Sequence, residues 1–335
     1  MKHLRFMAAL FAIVLFATAC TGSGASPAAE TDAAESEPAE TPAAEAPEEL
    51  VIGFVPSREA DALVETIQPV ADYLSEQLGI PVEGVVSSDY TGLVTAMETG
   101  QAQIGAFGPF ALLQARDRAD AEIILQSVRR GSPSYHTQFM TNNPDKYCED
   151  EVVEDEDGFK YCNGTLDADE GPVAEEAIAN IDEGTAVSFV EQSSASGYIF
   201  PATIMINNGI DIVTGIDPIY AGGHDSSVIA VCEGDAEVGV SFDDARAIAE
   251  TGCDVQENVV VFAYGPEIPN DGWAVSGDLP DDLKEQIKQA LLDYADTDEG
   301  KEVLTAIYEI DGLVEADLDS FTIVEDAARE LGVTE

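Results

Sequence analysis

The segment SFVEQSSASGYIFPATIMINNG, residues 188–209, decides how the rest of the chain is read. An apolar run ending at Glu191 gives way to Gln, Ser, Ser, Ala, Ser and Gly, then to a helix-forming stretch that stops at Asn207-Asn208-Gly209. Strand, small polar turn and helix start is the layout that holds a phosphate-like anion. The first amides of a helix lack intrahelical partners and sit at the positive end of its dipole. The turn has no lysine, and the whole chain carries 14 Lys and Arg against 66 Asp and Glu. Ser194, Ser196 and the Ala195 N–H would therefore have to hold an anion with neutral donors. Charge-assisted hydrogen bonds contribute about 1.5–3 kcal/mol each, so five or six suffice for micromolar affinity after the entropic cost of binding. Taken by itself, the turn reads equally as a serine cap on a helix that binds nothing.

Outward from this turn the chain alternates strand and helix. Before it, strands at 49–56, 81–86, 103–110 and 122–128 are separated by helices over 59–79, 90–100 and 111–118. The first helix shows apolar spacing at Leu63, Ile67, Val70, Leu74 and Leu78 and closes on Gly79. After it, strands at 216–220, 237–241, 259–264 and 273–276 alternate with helices at 226–234 and 243–251. Helices at 280–295, 298–310 and 320–331 close the chain. Such alternation predicts parallel sheets with helices on both faces. Length and order fit an α/β protein of two lobes around a cleft, with lobe 1 at 50–135 plus 250–335 and lobe 2 at 136–249. Crossings near Arg129–Phe139 and Val240–Tyr264 would serve as hinges.

Three further stretches carry chemistry. AGGHDSSVIAVCEG (221–234) places a glycine pair, then His224 and Asp225, at another helix start. One strand–helix–strand unit separates His224 from Ser194, so both turns open at the same carboxyl edge of one sheet, where α/β proteins bind ligands. VGVSFDDARAIAE (238–250) presents Asp243 and Asp244, and IPNDGW (268–273) presents Asp271. Acids at helix starts also read as plain caps. In an anion cleft an acid accepts a proton from a hydrogen phosphate, phosphite or phosphonate, which sulfate does not offer, or it holds an amine on an organic tail. Tyr90 and Tyr135 sit at element junctions, where a tyrosine is more often a packing residue than a ligand contact. Ser196, His224 and Asp225 or Asp243 contain the types of a hydrolytic triad. The serine, however, is not in Gly-x-Ser-x-Gly, and adjacent His and Asp do not both turn inward as base and orienter.

The first residues give the address. A basic MKHLR, the apolar run FMAALFAIVLFATA (6–19) and Cys20 after Ala17-Thr18-Ala19 form a secretory signal, too short to span a bilayer. Residues 1–20 fit a lipoprotein signal peptide that leaves Cys20 acylated; ordinary cleavage near Ala-x-Ala would discard Cys20. Residues 21–49 hold eight carboxylates, four prolines and no aromatic or base, the composition of a disordered acidic tether. With Lys2 and Arg5 gone, 12 bases face all 66 acids. That balance excludes general nucleic-acid affinity and repels anionic lipid, so the N-terminal lipid would be the one membrane contact. Cys148 with Cys162, and Cys232 with Cys253, read as disulfides in an exported chain. The first pair staples a polar insertion at about 142–175. A zinc site is the rival, but there is no Cys-x-x-Cys, and His136 and His224 are not at zinc spacing. Neither a metal nor a cofactor is expected.

Four stretches together are similar to the phosphate/phosphite/phosphonate-binding proteins of ABC importers, the PhnD type. They are DYTGLVTAMETGQAQIGAFGPF (89–110), SSASGYIFP (193–201), GGHDSSVIAVCEGDAEVGVSFDDAR (222–246) and IPNDGW (268–273). The resemblance covers nearly everything from residue 50 onward, in the same order. It implies a two-lobed type II periplasmic-binding fold that is not an enzyme. Such a protein works as a monomer that carries its ligand to a membrane permease and its ATPase. Feeding a sensor or chemoreceptor is the alternative. The family's ligand set falls here on Tyr90, Tyr135, Ser194, Ala195, Ser196, His224, Asp243 and Asp271. Ala195 stands where Thr is usual, Ala106 where an aromatic is common, and Gly272 where Pro is frequent; the cysteine-bracketed insertion is extra. These departures bear on the ligand's identity more than on its class. A carrier that must release cargo is served by neutral preorganised donors, and the expectation is a site without a buried cation.

Overall fold

The computed structural model describes residues 47–58, 60–167 and 171–333; the expected signal segment, Cys20 and residues 21–46 of the tether lie outside them. Leu50–Phe54 (β1), Ala60–Thr66 (α1), Gln68–Leu78 (α2), Val82–Val86 (β2), Tyr90–Glu98 (α3), Ile104–Phe107 (β3), Pro109–Ala119 (α4) and Ala121–Val128 (β4) alternate as the pattern predicts. Ser134–Thr141 (β5), Pro144–Tyr147 (α5), Val153–Glu154 (β6), Lys160–Tyr161 (β7), Thr185–Phe189 (β8), Phe200–Asn207 (α6), Ile216–Tyr220 (β9), His224–Glu233 (α7), Val238–Phe242 (β10), Val255–Asn258 (α8) and Val260–Pro269 (β11) follow. Gly272–Ser276 (β12), Asp281–Asp296 (α9), Asp298–Tyr308 (α10), Gly312–Glu315 (β13) and Thr322–Leu331 (α11) complete the order.

The strands form two sheets, β13-β4-β12-β3-β1-β2 and β6-β7-β11-β5-β10-β8-β9. In the first, β1 pairs in parallel with β2 and β3, and its Leu50, Ile52 and Phe54 are fully buried, as a strand covered on both faces requires. Neither sheet is purely parallel. β12 runs antiparallel to β3 and β4, and β5 antiparallel to β10 and β11. The chain's path explains this. β4 and β11 end at the space between the sheets, and β5 and β12 begin there, so each crossing strand enters its new sheet in the opposite sense. The expected return at residue 250 is corrected: β11 still belongs to the second sheet, and the chain passes back between Pro269 and Gly272.

Three local departures have physical causes. The single helix expected over 59–79 is two, because Pro69 in the first turn of α2 has no N–H to extend the preceding helix. The helix expected at 243–251 is only a short 3-10 turn at Ala245–Ile248. Arg246 is drawn inside, 2% exposed. There its Nε lies 2.8 Å from Asp244, its Nη1 donates to the Val259 carbonyl at 3.0 Å, and it stacks 4.4 Å from the Tyr161 ring. The stapled insertion also carries short strands of its own. β6 and β7 extend the edge of the second sheet alongside β11. Both expected disulfides form, Cys148–Cys162 with Cα atoms 5.7 Å apart and Cys232–Cys253 with 6.1 Å.

One helix ties the lobes a third time. The Ala327 carbonyl of α11 accepts the Thr203 hydroxyl of α6 at 3.3 Å, while Glu325 pairs with Arg116 of α4 at 2.8 Å.

Candidate functional site

Four helix starts open onto the space between the sheets. α3 begins behind Asp89, whose carboxylate accepts the Gly92 N–H at 2.6 Å. α4 begins with Pro109 behind Gly108, and α7 with His224 behind Gly223. A π-helical turn at Ala195–Ile199 leads into α6 behind the Ser194 cap, which accepts the Gly197 N–H at 3.1 Å. Gly197 is required here. The turn folds back so that Val190 donates to the Gly197 carbonyl at 3.0 Å, and a Cβ at 197 would lie 2.4 Å from the Val190 side chain. Tyr90, Gly108, Ser194, Ser196 and His224 thus line one cavity of about 30 Å³. That is far below a pocket for a drug-sized ligand. Each helix start favours an anion by about 0.3–1 kcal/mol, and about 2 kcal/mol where partly buried.

His224 is built as a neutral donor. Its Nδ1 accepts the Phe242 N–H at 3.3 Å and lies 2.8 Å from the Ser241 hydroxyl. An amide only donates, so the ring proton sits on Nε2, which faces the Ser194 hydroxyl at 3.4 Å. Burial, seconded by the charge of Arg129, pushes the imidazole down to about 3. Ser194 accepts from both Gly197 and His224, which leaves its own proton to donate. Burial pushes the Tyr135 phenol up, joined by the Asp271 charge and opposed by the Ser196 hydroxyl beside it. Tyr90 is likewise raised by burial, then by Tyr308 and Asp271. Both phenols therefore remain protonated donors.

The cavity nevertheless contains a cation, which corrects the expectation of a site without one. Arg129, just after β4, lines the cavity and forms an ion pair with Asp271 in the β11–β12 turn. Its guanidinium lies 5.8 Å from the Tyr135 ring centre and 5.7 Å from that of Phe242. Burial raises the Asp271 carboxyl, and Arg129 opposes that shift. The sequence held one clue: Arg129-Arg130 is a base pair in a base-poor chain, five residues before Tyr135. Arg58 also lines the cavity, with its Nη1 on the Ala306 carbonyl at 2.8 Å.

Of the eight expected ligand residues, Tyr90, Tyr135, Ser194, Ala195, Ser196, His224 and Asp271 line this cavity, and Asp243 does not. Asp243 instead accepts the His136 amide at 2.9 Å and lies 3.5 Å from His136 Nδ1, so its carboxylate fixes the start of β5. The triad types are not arranged for hydrolysis. The imidazole Nδ1 meets a hydroxyl and an amide rather than a carboxylate, and the serine on Nε2 is the helix cap Ser194. Among the described residues no group of three or more His, Cys, Asp or Glu could hold a metal ion.

Residues 52–321 match the family of periplasmic substrate-binding proteins of phosphonate ABC transporters. The chain is 30% identical over 207 residues to the phosphate-import protein PhnD of Mycolicibacterium smegmatis, across 59% of this chain and 56% of that one. It is 20% identical over 259 residues to the phosphonates-binding periplasmic protein of Escherichia coli, across 76% of this chain and 69% of that one. The match thus spans little more than half the length of the first relative. In fold it is similar to PhnD1 of Prochlorococcus marinus in complex with methylphosphonate, with a TM-score of 0.70, 18% identity, and coverage of 85% of this chain and 99% of that one. A binding component of a Pseudomonas aeruginosa ABC phosphonate transporter gives a TM-score of 0.68 at 19% identity, covering 86% and 89%. At these identities the structural likeness is one of fold.

Proposed function

Since the chain belongs to the family of periplasmic substrate-binding proteins of phosphonate ABC transporters, we propose that it closes two lobes on a small phosphorus oxyanion and delivers it to a membrane permease and its ATPase. The observation that carries this reading is the meeting of Ser194, Ser196 and His224 at one small cavity under four helix starts. The hydroxyls of Ser194 and Ser196, the Ala195 amide and the phenols of Tyr90 and Tyr135 donate to the ligand's oxygens, while Nε2–H of His224 holds the Ser194 hydroxyl so that it donates outward. The first lobe carries β1–β4, β12 and β13, the second β5–β11, with hinges at 129–133 and 270–271. The protein works outside the cytoplasm as a monomer, tethered through a lipidated Cys20.

The test is calorimetry of the mature chain with phosphate, phosphite and methylphosphonate, with sulfate and amino acids as controls. At least one phosphorus oxyanion is expected to bind in the micromolar range or tighter. At a hundred times its Kd it would add about 2.7 kcal/mol of stability. Heat from sulfate or an amino acid alone, with none from the phosphorus compounds, would reassign the ligand class.

A further inference from the structure

Among the described residues that line the cavity, the acids are Asp271 and Glu309. Glu309 stands toward Arg130, 3.8 Å away, with 30% of its side chain exposed. Asp271 is enclosed and already has its cation: the Arg129–Asp271 side chains are only 12% and 14% exposed. Arg129 is fixed on three sides, by Asp271 and by the rings of Tyr135 and Phe242. Its Nε is buried with no hydrogen-bond partner among the described residues. Asp243, expected from the sequence to meet a ligand's proton or amine, is turned onto His136.

We infer that Arg129 is the specificity-determining residue of the site. Its guanidinium occupies the place at Asp271 that an ammonium-bearing tail would need, and so restricts the ligand to phosphorus oxyanions with no tail or a single carbon. This rests on the reading under Proposed function and adds the substrate class to it. A cationic tail would meet a like charge instead of a free carboxylate, in a small cavity whose other acid, Glu309, stands toward Arg130. A small oxyanion meets an ion pair of no net charge. Arg129 thereby positions charge without making the site strongly cationic.

Calorimetry on the mature chain with methylphosphonate and 2-aminoethylphosphonate tests this. Wild type is expected to favour methylphosphonate by about a hundredfold, the scale set by an unmatched buried charge. Arg129→Ala frees Asp271 and vacates volume, and is expected to narrow that preference at least tenfold, about the value of one charged hydrogen bond. Arg129→Lys keeps a cation beside Asp271 and is expected to go on rejecting the amine. Wild type binding both compounds within threefold overturns the inference while leaving the proposed function intact. So does a folded Arg129→Ala whose preference is unchanged. Wild type binding no phosphorus oxyanion at all would remove the proposed function itself. The wild-type ratio and the lysine variant decide the matter even where Arg129→Ala does not fold.

Discussion

The backbone amide of His224, at the start of α7, donates to the carbonyl of Ser57, just after β1, at 3.0 Å. Residues carried by the two sheets therefore touch directly at the cavity. Two neighbours do the same. The Tyr90 amide donates to the Glu191 carboxylate at 3.0 Å, and the hydroxyls of Thr91 and Ser193 lie 3.2 Å apart. In the lobe opening proposed above, all three contacts would break. The free energy of closure thus resides partly in protein–protein bonds, and the ligand supplies the remainder.

Glu191 makes the strongest of these contacts, since its acceptor is a carboxylate placed at the start of α3. Burial raises its carboxyl, and the bond from Tyr90 works against that. Glu191→Ala removes the acceptor and shifts the population toward the open form. A charged hydrogen bond contributes about 1.5–3 kcal/mol, so the Kd for the phosphorus ligand is expected to weaken by about tenfold or more. The unliganded variant should also show a larger radius of gyration in small-angle scattering. Equal affinity and an unchanged radius would mean that the contact does not govern closure.

The low value of the His224 imidazole has a sign that can be worked out. The unfolded ring titrates near 6.5 and the folded one near 3. Above pH 6.5 both states are neutral and the folded state loses nothing. As pH falls from 6.5 toward 3, the unfolded ring takes up a proton that the folded ring refuses, and stability drops by up to about 1.4 kcal/mol per pH unit. Melting curves of wild type and His224→Gln between pH 7 and 4 check this, with a shallower acid decline expected for the variant. Ligand affinity should not follow the titration of a free histidine between pH 5 and 8. A midpoint near 6.5 in the binding curve that disappears in His224→Gln would show that His224, rather than the ligand's own proton, takes part as a cation.

How much of this was legible in the sequence depends on the reach of each interaction. That Ser194 and His224 would come to one cavity was legible because a helix start is a local signal, and one strand–helix–strand unit returns the chain to the same sheet edge. Arg129 was not, because its role depends on Asp271, 142 residues away, and on Phe242 from a third strand. Asp243 was misplaced for the converse reason. Its neighbours look like those of a cavity acid, and only the packing of β5 turns it onto His136. β5 was read as a mere crossing, since Thr137, Gln138 and Thr141 disguise a strand that buries these polar groups completely. The expected helix at 243–251 failed where Arg246, ordinarily a surface residue, was buried against Asp244.

That buried pair carries its own expectation. Burial would raise the Asp244 carboxyl, yet the charge and hydrogen bonds of Arg246 bring it below its usual range. Arg246→Ala leaves a carboxylate enclosed without its cation. Breaking one side of such a pair costs about 3–5 kcal/mol, while removing both charges together costs less. Urea unfolding of Arg246→Met, Asp244→Asn and the double variant should therefore show strong coupling, with the double variant more stable than either single one. Additive losses would place the role of Arg246 in its stacking on Tyr161, 4.4 Å away, rather than in the ion pair.

The Cys148–Cys162 bridge closes a loop with a sequence separation of 14 and joins α5 to β7, on the edge of the second sheet. Loop-closure entropy gives a bridge of this span about 3 kcal/mol, held in the unfolded state rather than in native contacts. Replacing both cysteines with serine should lower the Tm by on the order of 5–10 °C in a chain of this size. The same pair of substitutions should leave the Kd of the phosphorus ligand unchanged, because neither cysteine lines the cavity. Scanning calorimetry and ligand titration on one preparation separate the two effects. A fall in affinity alongside the fall in Tm would show that the insertion supports β11, and through it the turn that presents Asp271 to Arg129.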